Sequence, residues 1–156
     1  MPTAISFTIP KALERQFIKQ AKAAFPKETA AFLIGTVAGD HLHCDELWVP
    51  DDTSDFSTEN YILPQPHWFA GAAEVAEEMG PEYSVVSWWH SHPYIQTAGN
   101  CLRDRAQSEG DLDCPTQAFP VQGICVVQEF LRKGKPCLRA SMRFWVQTIP
   151  LNVNYV

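Results

Sequence analysis

Two histidines separated by one residue lie in the stretch 87–96, SWWHSHPYIQ, and this spacing suits a metal site. In a β-strand, residues i and i+2 point to the same face, so His90 and His92 would aim both imidazoles at one cation. A hydrolytic zinc usually has three protein ligands and an open position for water. A second pair, His41 and His43, has the same spacing. The spacing alone therefore does not identify the site.

A complete site needs a third ligand and a general base. The loop after His92 offers three carboxylates, Asp104, Asp111 and Asp113, and the residue types leave the choice among them open. A metal-bound water also needs a base that is not itself a ligand. Glu28 is the candidate base, because it stands directly before an apolar strand in a segment otherwise poor in acidic residues.

Three blocks of the sequence resemble the JAB/MPN/Mov34 domain in its metalloenzyme form, called JAMM. ETAAFLIG places Glu28 seven positions before Gly35, with an apolar strand between them. VVSWWHSHP resembles the family's strand and H-[ST]-H-P, and SEGDL resembles its S-x-x-D, formed by Ser108 and Asp111. The blocks follow the family's order and cover roughly residues 5–130. The resemblance implies an α/β (α+β) fold, JAB1/MPN-like and cytidine-deaminase-like, with helices flanking a mixed central β-sheet.

The resemblance also implies one Zn²⁺ per chain and a role for each site residue. His90, His92 and Asp111 would bind the metal together with a water. Glu28 would take the proton of that water and pass it to the leaving amine. Ser108 would help to hold the carbonyl oxygen as it gains negative charge.

The spacing to the third ligand departs from the family pattern. Asp111 lies 19 residues after His92, which is longer than usual, whereas Asp104 lies 12 residues after it. Asp104, however, would stand in a C-x-x-D frame with Cys101 in place of the serine. We therefore predict Asp111 as the third ligand and keep Asp104 as the alternative third ligand, with Asp113 the least favoured.

Hydrophobic periodicity predicts the elements that must position these residues, within a single domain over 1–156. Pro93 is expected to end the strand that carries the histidines, and 94–122 is expected to be irregular. The predicted elements are strands at 4–10, 29–40, 41–50, 82–92, 123–131 and 137–151, helices at 11–25 and 66–80, and a turn at 134–135.

Trp88 and Trp89 directly precede the first histidine of the motif. We predict that one of them lies in the core and the other on the surface, since successive strand residues face opposite ways. A tryptophan at the rim of the site would be substrate-binding and would hold an extended substrate tail. His41 and His43 have no downstream acid in a matching frame, so they are predicted to be an exposed strand face.

Composition and charge exclude several classes of protein. A hydrophobic content of 46% with 19% charged residues is typical of a globular chain and excludes disorder. No apolar run reaches the roughly 20 residues of a membrane span. A net charge of −6 argues against binding nucleic acid. Eleven acidic residues and no Lys or Arg lie between positions 40 and 82, which indicates a solvated acidic face or a docking surface for a basic partner.

Five scattered cysteines and the lack of an export signal favour reduced thiols and a cytoplasmic location. A disulfide between Cys101 and Cys114 is left open. The resemblance implies a zinc metalloprotease that hydrolyses the amide bond after the C-terminus of a ubiquitin-like protein. Expected partners are such a protein or its conjugates and E1-like and E2-like proteins of a bacterial conjugation system, as in antiviral defense. The alternatives are an inactive MPN scaffold, a sulfur-carrier-protein-processing enzyme and a phage-tail or cell-wall peptidase.

Overall fold

The computed structural model of the chain describes residues 5–94, 119–146 and 149–156. No helix within these ranges is both long enough and apolar enough to cross a lipid bilayer. In chain order the elements are β1 Ser6–Ile9, α1 Lys11–Ala24, β2 Ala30–Ala38, β3 His41–Trp48, a 3₁₀ turn Thr53–Phe56, α2 Pro66–Met79, β4 Tyr83–Tyr94, β5 Val121–Arg132, β6 Lys135–Val146, β7 Ile149–Leu151 and β8 Asn154–Tyr155.

One mixed sheet of eight strands organises the described residues, in the order β7-β6-β5-β4-β2-β3-β1-β8. β2 is antiparallel to both β3 and β4, β4 is parallel to β5, and β5 and β6 form an antiparallel hairpin. Consecutive parallel strands require a crossover of a dozen or more residues, and residues 95–120 separate β4 from β5. The mixed α+β fold with a central sheet, predicted from the resemblance, is thereby confirmed.

A helix packs on each face of this sheet. α1 contributes Phe17 and Ala21 to the larger core, and α2 contributes Trp68 and Ala72 to the smaller one on the other face. Both helices occupy the ranges that hydrophobic periodicity predicts. A strand that is covered on both faces buries the side chains of odd-numbered and of even-numbered residues alike. The site strand β4 is therefore central and largely enclosed.

The two tryptophans of β4 show the effect of this double cover. Trp88 is 2% exposed and packs on the α2 side with Phe32, whereas Trp89 is fully buried on the α1 side against Phe17. The prediction that one tryptophan lies on the surface is wrong, because a helix covers each face of the strand. Gly123 on β5 leaves room for Trp89, since a Cβ there would lie 2.6 Å from the indole ring.

Pro93 does not end the strand, which is a second correction. β4 continues to Tyr94, and Pro93 pairs with Val127 of β5. The amide of Ser91 donates to Thr29 on the β2 side, so the nitrogen of Pro93, two residues on, points the same way. The β2–β4 ladder has already ended there, so a residue without an N–H costs no hydrogen bond.

The C-terminal region also differs from the predicted single strand at 137–151. It forms β6 and β7, and β8 then pairs in parallel with β1. The hairpin turn lies one residue earlier than predicted, at Lys133 and Gly134, which both have positive φ values (51° and 76°). Positive φ at both central residues is characteristic of the tight hairpin turns that match strand twist.

Candidate metal centre

Three side chains, one from the segment just before β2 and two from β4, meet near the end of β4. Glu28, His90 and His92 place ligand atoms within 4.8 Å of one another. Glu28 and His90 are buried, with 7% and 3% exposure, and His92 is partly exposed. The cluster is thus shielded on the Glu28 and His90 side and open to solvent on the His92 side.

The geometry of the two imidazoles fits a shared metal ion. The Nε2 atoms of His90 and His92 lie 3.0 Å apart, with ring planes inclined by 65°. Two nitrogens bound to one tetrahedral zinc at about 2.0–2.1 Å would lie about 3.3–3.4 Å apart. Moving the two nitrogens apart by a few tenths of an ångström, through small side-chain rotations, would therefore allow both to bind zinc. Imidazole nitrogens are among the ligands that bind zinc in proteins, and the carboxylate beside them is placed to act as a base.

The register of β2 and β4 brings Glu28 to the histidines. Ala30 pairs with His90, and Thr29 and Ser91 exchange two hydrogen bonds: Ser91 N donates to Thr29 O, and Thr29 N donates to Ser91 Oγ, both at 2.9 Å. Gln20 of α1 donates through Nε2 to Thr29 Oγ1 at 2.9 Å. The residue next to Glu28 is therefore tied to the serine between the two histidines.

Sequence reasoning missed this role of Ser91. The only signal was its position inside H-S-H, and its side chain acts through a residue 62 positions away in the chain. Ser91 is 1% exposed, so its hydroxyl must find a partner inside the protein. The serine thus ties the segment just before β2, which carries the carboxylate, to the strand that carries the imidazoles.

A loop on the other side of Glu28 also holds its backbone in place. Glu28 N donates to Thr58 O at 2.8 Å, and Thr58 N donates to Tyr61 O at 2.8 Å, closing a tight loop. A β-bridge between Ser57 and Ile62 supports the same loop. The backbone of Glu28 is therefore held from both sides, by β4 and by this loop.

Asp52 attaches the segment before that loop to the first turn of α2. Trp68 Nε1 donates to Asp52 Oδ1 at 2.6 Å, and His67 Nε2 lies 2.7 Å from Asp52 Oδ2. Partial burial alone would raise the pKa of Asp52, but the hydrogen bonds from His67 and Trp68 outweigh it and lower the pKa. The ionised carboxylate is the form that holds the loop.

The structure brings together three of the predicted site residues. Glu28, His90 and His92 form the cluster, while their roles as base and ligands stay predictions. The remaining predicted residues, Ser108, Asp111, Asp104 and Asp113, and the pair Cys101 and Cys114, lie outside the described residues.

Trp88 and Trp89, predicted as substrate-binding, support the strand. The Trp88 ring lies alongside the His90 imidazole, with centroids 6.1 Å apart and planes inclined by 29°. Trp89 Nε1 donates to Ser87 Oγ at 3.0 Å, and that hydroxyl donates to Val121 O at 2.7 Å. Both indoles therefore fix β4 and the His90 ring from within the core.

An apolar pocket of about 660 Å³ lies at the opposite end of β4 from the cluster. Its lining includes Phe69, Tyr83, Val85 and Phe119. Val85 precedes His90 by five residues, which is about 17 Å along a strand. The pocket is therefore too far from the imidazoles to hold a bond that reacts there.

A sequence model described as prokaryotic homologs of the JAB domain matches residues 10–98, more than half of the chain. The chain belongs to this family. The matched range includes Glu28, His90 and His92 and ends before Ser108. The match therefore covers all three residues of the described cluster. No curated protein matches the chain.

Solved structures agree on the fold. A protein from Desulfitobacterium hafniense, known from a solution structure, is 16% identical with a TM-score of 0.60 over 96% of this chain and 91% of that one. A JAB1/MPN domain protein from Archaeoglobus fulgidus, known from a crystal structure, is 17% identical with a TM-score of 0.52 over 99% of this chain and all of that one. At these identities the likeness concerns the JAB fold alone.

Proposed function

We propose that this JAB domain protein is a zinc-dependent hydrolase of amide bonds. The observation that carries the proposal is the cluster itself, in which a buried carboxylate, Glu28, lies within 4.8 Å of the imidazoles of His90 and His92. Two imidazoles that converge on one point, with a carboxylate beside them, supply both metal ligands and a base. Metal-dependent hydrolysis uses this combination of groups.

His90 and His92 would hold the zinc, with Asp111 as the third ligand and Asp104 as the alternative. A bound zinc supplies a lower pKa for a coordinated water and polarisation of the substrate carbonyl. The protein's contribution is to keep the two imidazoles convergent. Trp88 does this for His90 by packing alongside its ring.

Glu28 is proposed to move the protons. Its carboxylate would accept a proton from the attacking water and then give it to the nitrogen of the leaving amine, which balances the hydrolysis. Its main chain is held by Thr58 on one side and, through Thr29, by Ser91 on the other. Ser108 is proposed as the donor to the oxyanion.

The proposed substrate is the amide bond that follows the C-terminus of a ubiquitin-like protein, in deconjugation or precursor processing. E1-like and E2-like proteins of one bacterial conjugation system, in antiviral defense, are the proposed partners. A cytoplasmic location is proposed because Cys44, Cys125 and Cys137 are free thiols. Burial raises the pKa of the Cys125 thiol to about 12, so this thiol stays protonated and unreactive.

The test is cleavage of a ubiquitin-like protein extended by a short peptide after its C-terminal Gly-Gly. We expect wild type to release the extension, 1,10-phenanthroline to stop the reaction and added Zn²⁺ to restore it. Glu28→Gln should retain zinc and fold while turnover falls, whereas Glu46→Gln on the exposed part of β3 should match wild type. Zinc-loaded wild type that leaves the fusion intact would favour the inactive scaffold.

A further inference from the structure

The β5–β6 hairpin presents a row of cations on the face of the sheet that carries the metal cluster. Directly paired residues on neighbouring strands share a face. His90 pairs with Ile124, and Ile124 pairs with Arg143, so the imidazole and this guanidinium project from the same side. His92 is related in the same way to Ser141, through Val126.

The same register extends the row along the hairpin. Tyr94 pairs with Gln128 and Gln128 with Arg139, and at the tip Arg132 pairs with Lys135. We call the four exposed residues Arg132, Lys135, Arg139 and Arg143 the basic strip. Two strand spacings separate β4 from β6, so the strip runs about 10 Å from the histidine strand.

The opposite face of β6 is apolar and packs under α1. Leu138, Ala140 and Met142 join the core there. β6 thus alternates between core residues and the basic strip. Arg139 also lies over the Phe130 ring, 4.2 Å from its centroid, which holds the guanidinium above the sheet. Within the part of the chain that the structure describes, no ion pair engages any cation of the strip.

Among the described residues, β6 also has an unpaired edge beside the strip. On the side away from β5, β6 pairs with β7 only through Phe144–Val146, so over residues 135–143 no described strand occupies that side. An extended peptide can add to such an edge through main-chain hydrogen bonds, while its side chains meet groups on alternate positions. Arg139 and Arg143 are four residues apart, about 13 Å along the strand.

Edge strands often carry charged side chains, especially Lys, that discourage aggregation, but three of the four cations here are arginines. Here all four charges are positive, in a chain with a net charge of −6 and eleven acidic residues between 40 and 82. An acidic partner would be attracted to the strip and repelled by the acidic region. A nucleic acid would be repelled there too and could not use the main-chain groups of the edge.

We propose that the basic strip docks an extended acidic segment of the protein substrate, which adds to the edge of β6 as a strand. Acidic residues four positions apart in that segment would face Arg139 and Arg143. The proposal rests on the proposed function, because it assigns the segment to the substrate. The basic strip would supply contacts that select the substrate, which the cluster of Glu28, His90 and His92 does not supply.

The test is fluorescence anisotropy with a fluorescein-labelled dodecapeptide in which glutamate alternates with threonine. We expect the full chain to bind it at low salt, more weakly as salt rises. The glutamine counterpart should bind at least tenfold more weakly, and so should the glutamate peptide N-methylated at alternate residues. The charge reversal R139E/R143E should weaken binding at least tenfold. The matched reversal R15E/K19E, on the exposed face of α1, should stay within twofold of wild type.

Three results would overturn the proposal. The first is equal binding of the peptide by wild type and R139E/R143E, with circular dichroism showing both folded. The second is a single-stranded DNA 12-mer that binds through Arg139 and Arg143 at least as tightly as the peptide. The third is dimerisation of wild type through these arginines in sedimentation, which would assign the strip to a second copy. Because binding is read without turnover and in Glu28→Gln, failure here is distinct from failure of the hydrolase proposal.

Discussion

The chain contains two H-x-H pairs in one sheet, and they differ in burial and in the position of the nearest carboxylate. His90 and His92 lie on central strand β4, beside a buried carboxylate. His41 and His43 lie on β3, where His41 is exposed and His43 pairs with Asp45 at 3.2 Å on a partly exposed face. The same spacing on two strands thus gives a cluster able to bind a metal ion in one place and a solvated face in the other. The difference lies in the neighbouring segment: Glu28 lies just before β2, at the end of the sheet where His90 and His92 lie.

The largest expected effect comes from the acid beside each pair. Glu28→Gln should lower kcat by about 100- to 10,000-fold, because general-base catalysis contributes about that much. Asp45→Asn, the corresponding change beside His43, should leave kcat unchanged. Turnover of the ubiquitin-like fusion by zinc-loaded proteins measures both. Equal kcat values for Glu28→Gln and wild type would remove the distinction between the two pairs.

The two regions meet at Gly35, where β2 has a bulge against β3. A Cβ at Gly35 would overlap the carbonyl oxygen of His43, which is main chain and has no freedom to move aside. Gly35→Ala should therefore destabilise the protein by about 2–3 kcal/mol. The control is Gly39→Asn in the β2–β3 turn, where φ is 61° and no atom lies within 4 Å of the added Cβ. Urea unfolding of both variants measures the difference, and similar midpoints would contradict it.

Ser91 gives the next effect, since it links β4 to the residue after Glu28. Ser91→Ala would leave the buried amide of Thr29 without its side-chain acceptor, which costs about 1–3 kcal/mol. It should also lower kcat while zinc content is unchanged, because Glu28 loses its fixed position. Ser91→Thr keeps the hydroxyl and should restore activity.

The matched control is Ser84→Ala, an exposed serine on the same strand, which should change stability by less than about 0.5 kcal/mol. Thermal unfolding and steady-state kinetics together decide the role of Ser91. A Ser91→Ala protein with wild-type kcat would show that its hydroxyl does not position Glu28.

The smallest effects concern the two histidine–aspartate contacts. Asp45→Asn should cost less than about 1 kcal/mol, as exposed ion pairs usually do. Asp52 should show a pH dependence, because its pKa is lowered in the folded state. Its stabilisation is complete above its ordinary pKa of about 4 and is lost as pH falls through the lower folded value. Unfolding midpoints of wild type and Asp52→Asn should therefore converge with acidification below pH 4, and a constant gap would refute this.

The sequence predicts the local elements and the motif residues of the JAB domain well. The helices α1 and α2 and the strand that carries His90 follow from periodicity, because their apolar faces are set by neighbouring residues in the chain. Pro93 inside β4 and the parallel pairing of β8 with β1 could not be predicted in this way. Both depend on where another strand begins or ends, which local patterns do not record.

The same limit applies to the site. Glu28, His90 and His92 could be proposed from motif order, but the link through Ser91 depends on the register between β2 and β4. The burial of Trp88 and Trp89 depends on a helix over each face of β4. The basic strip required pairing across β4, β5 and β6, since its residues are not contiguous with the histidines in sequence.

His90 and His92, and not His41 and His43, are proposed to bind the metal. Elemental analysis of purified wild type, His92→Ala and His43→Ala, after removal of loosely bound ions, tests it most directly. We expect about one zinc per chain in wild type and His43→Ala, and at least tenfold less in His92→Ala, with all three folded. Full zinc content in His92→Ala, or loss of zinc in His43→Ala, would contradict it.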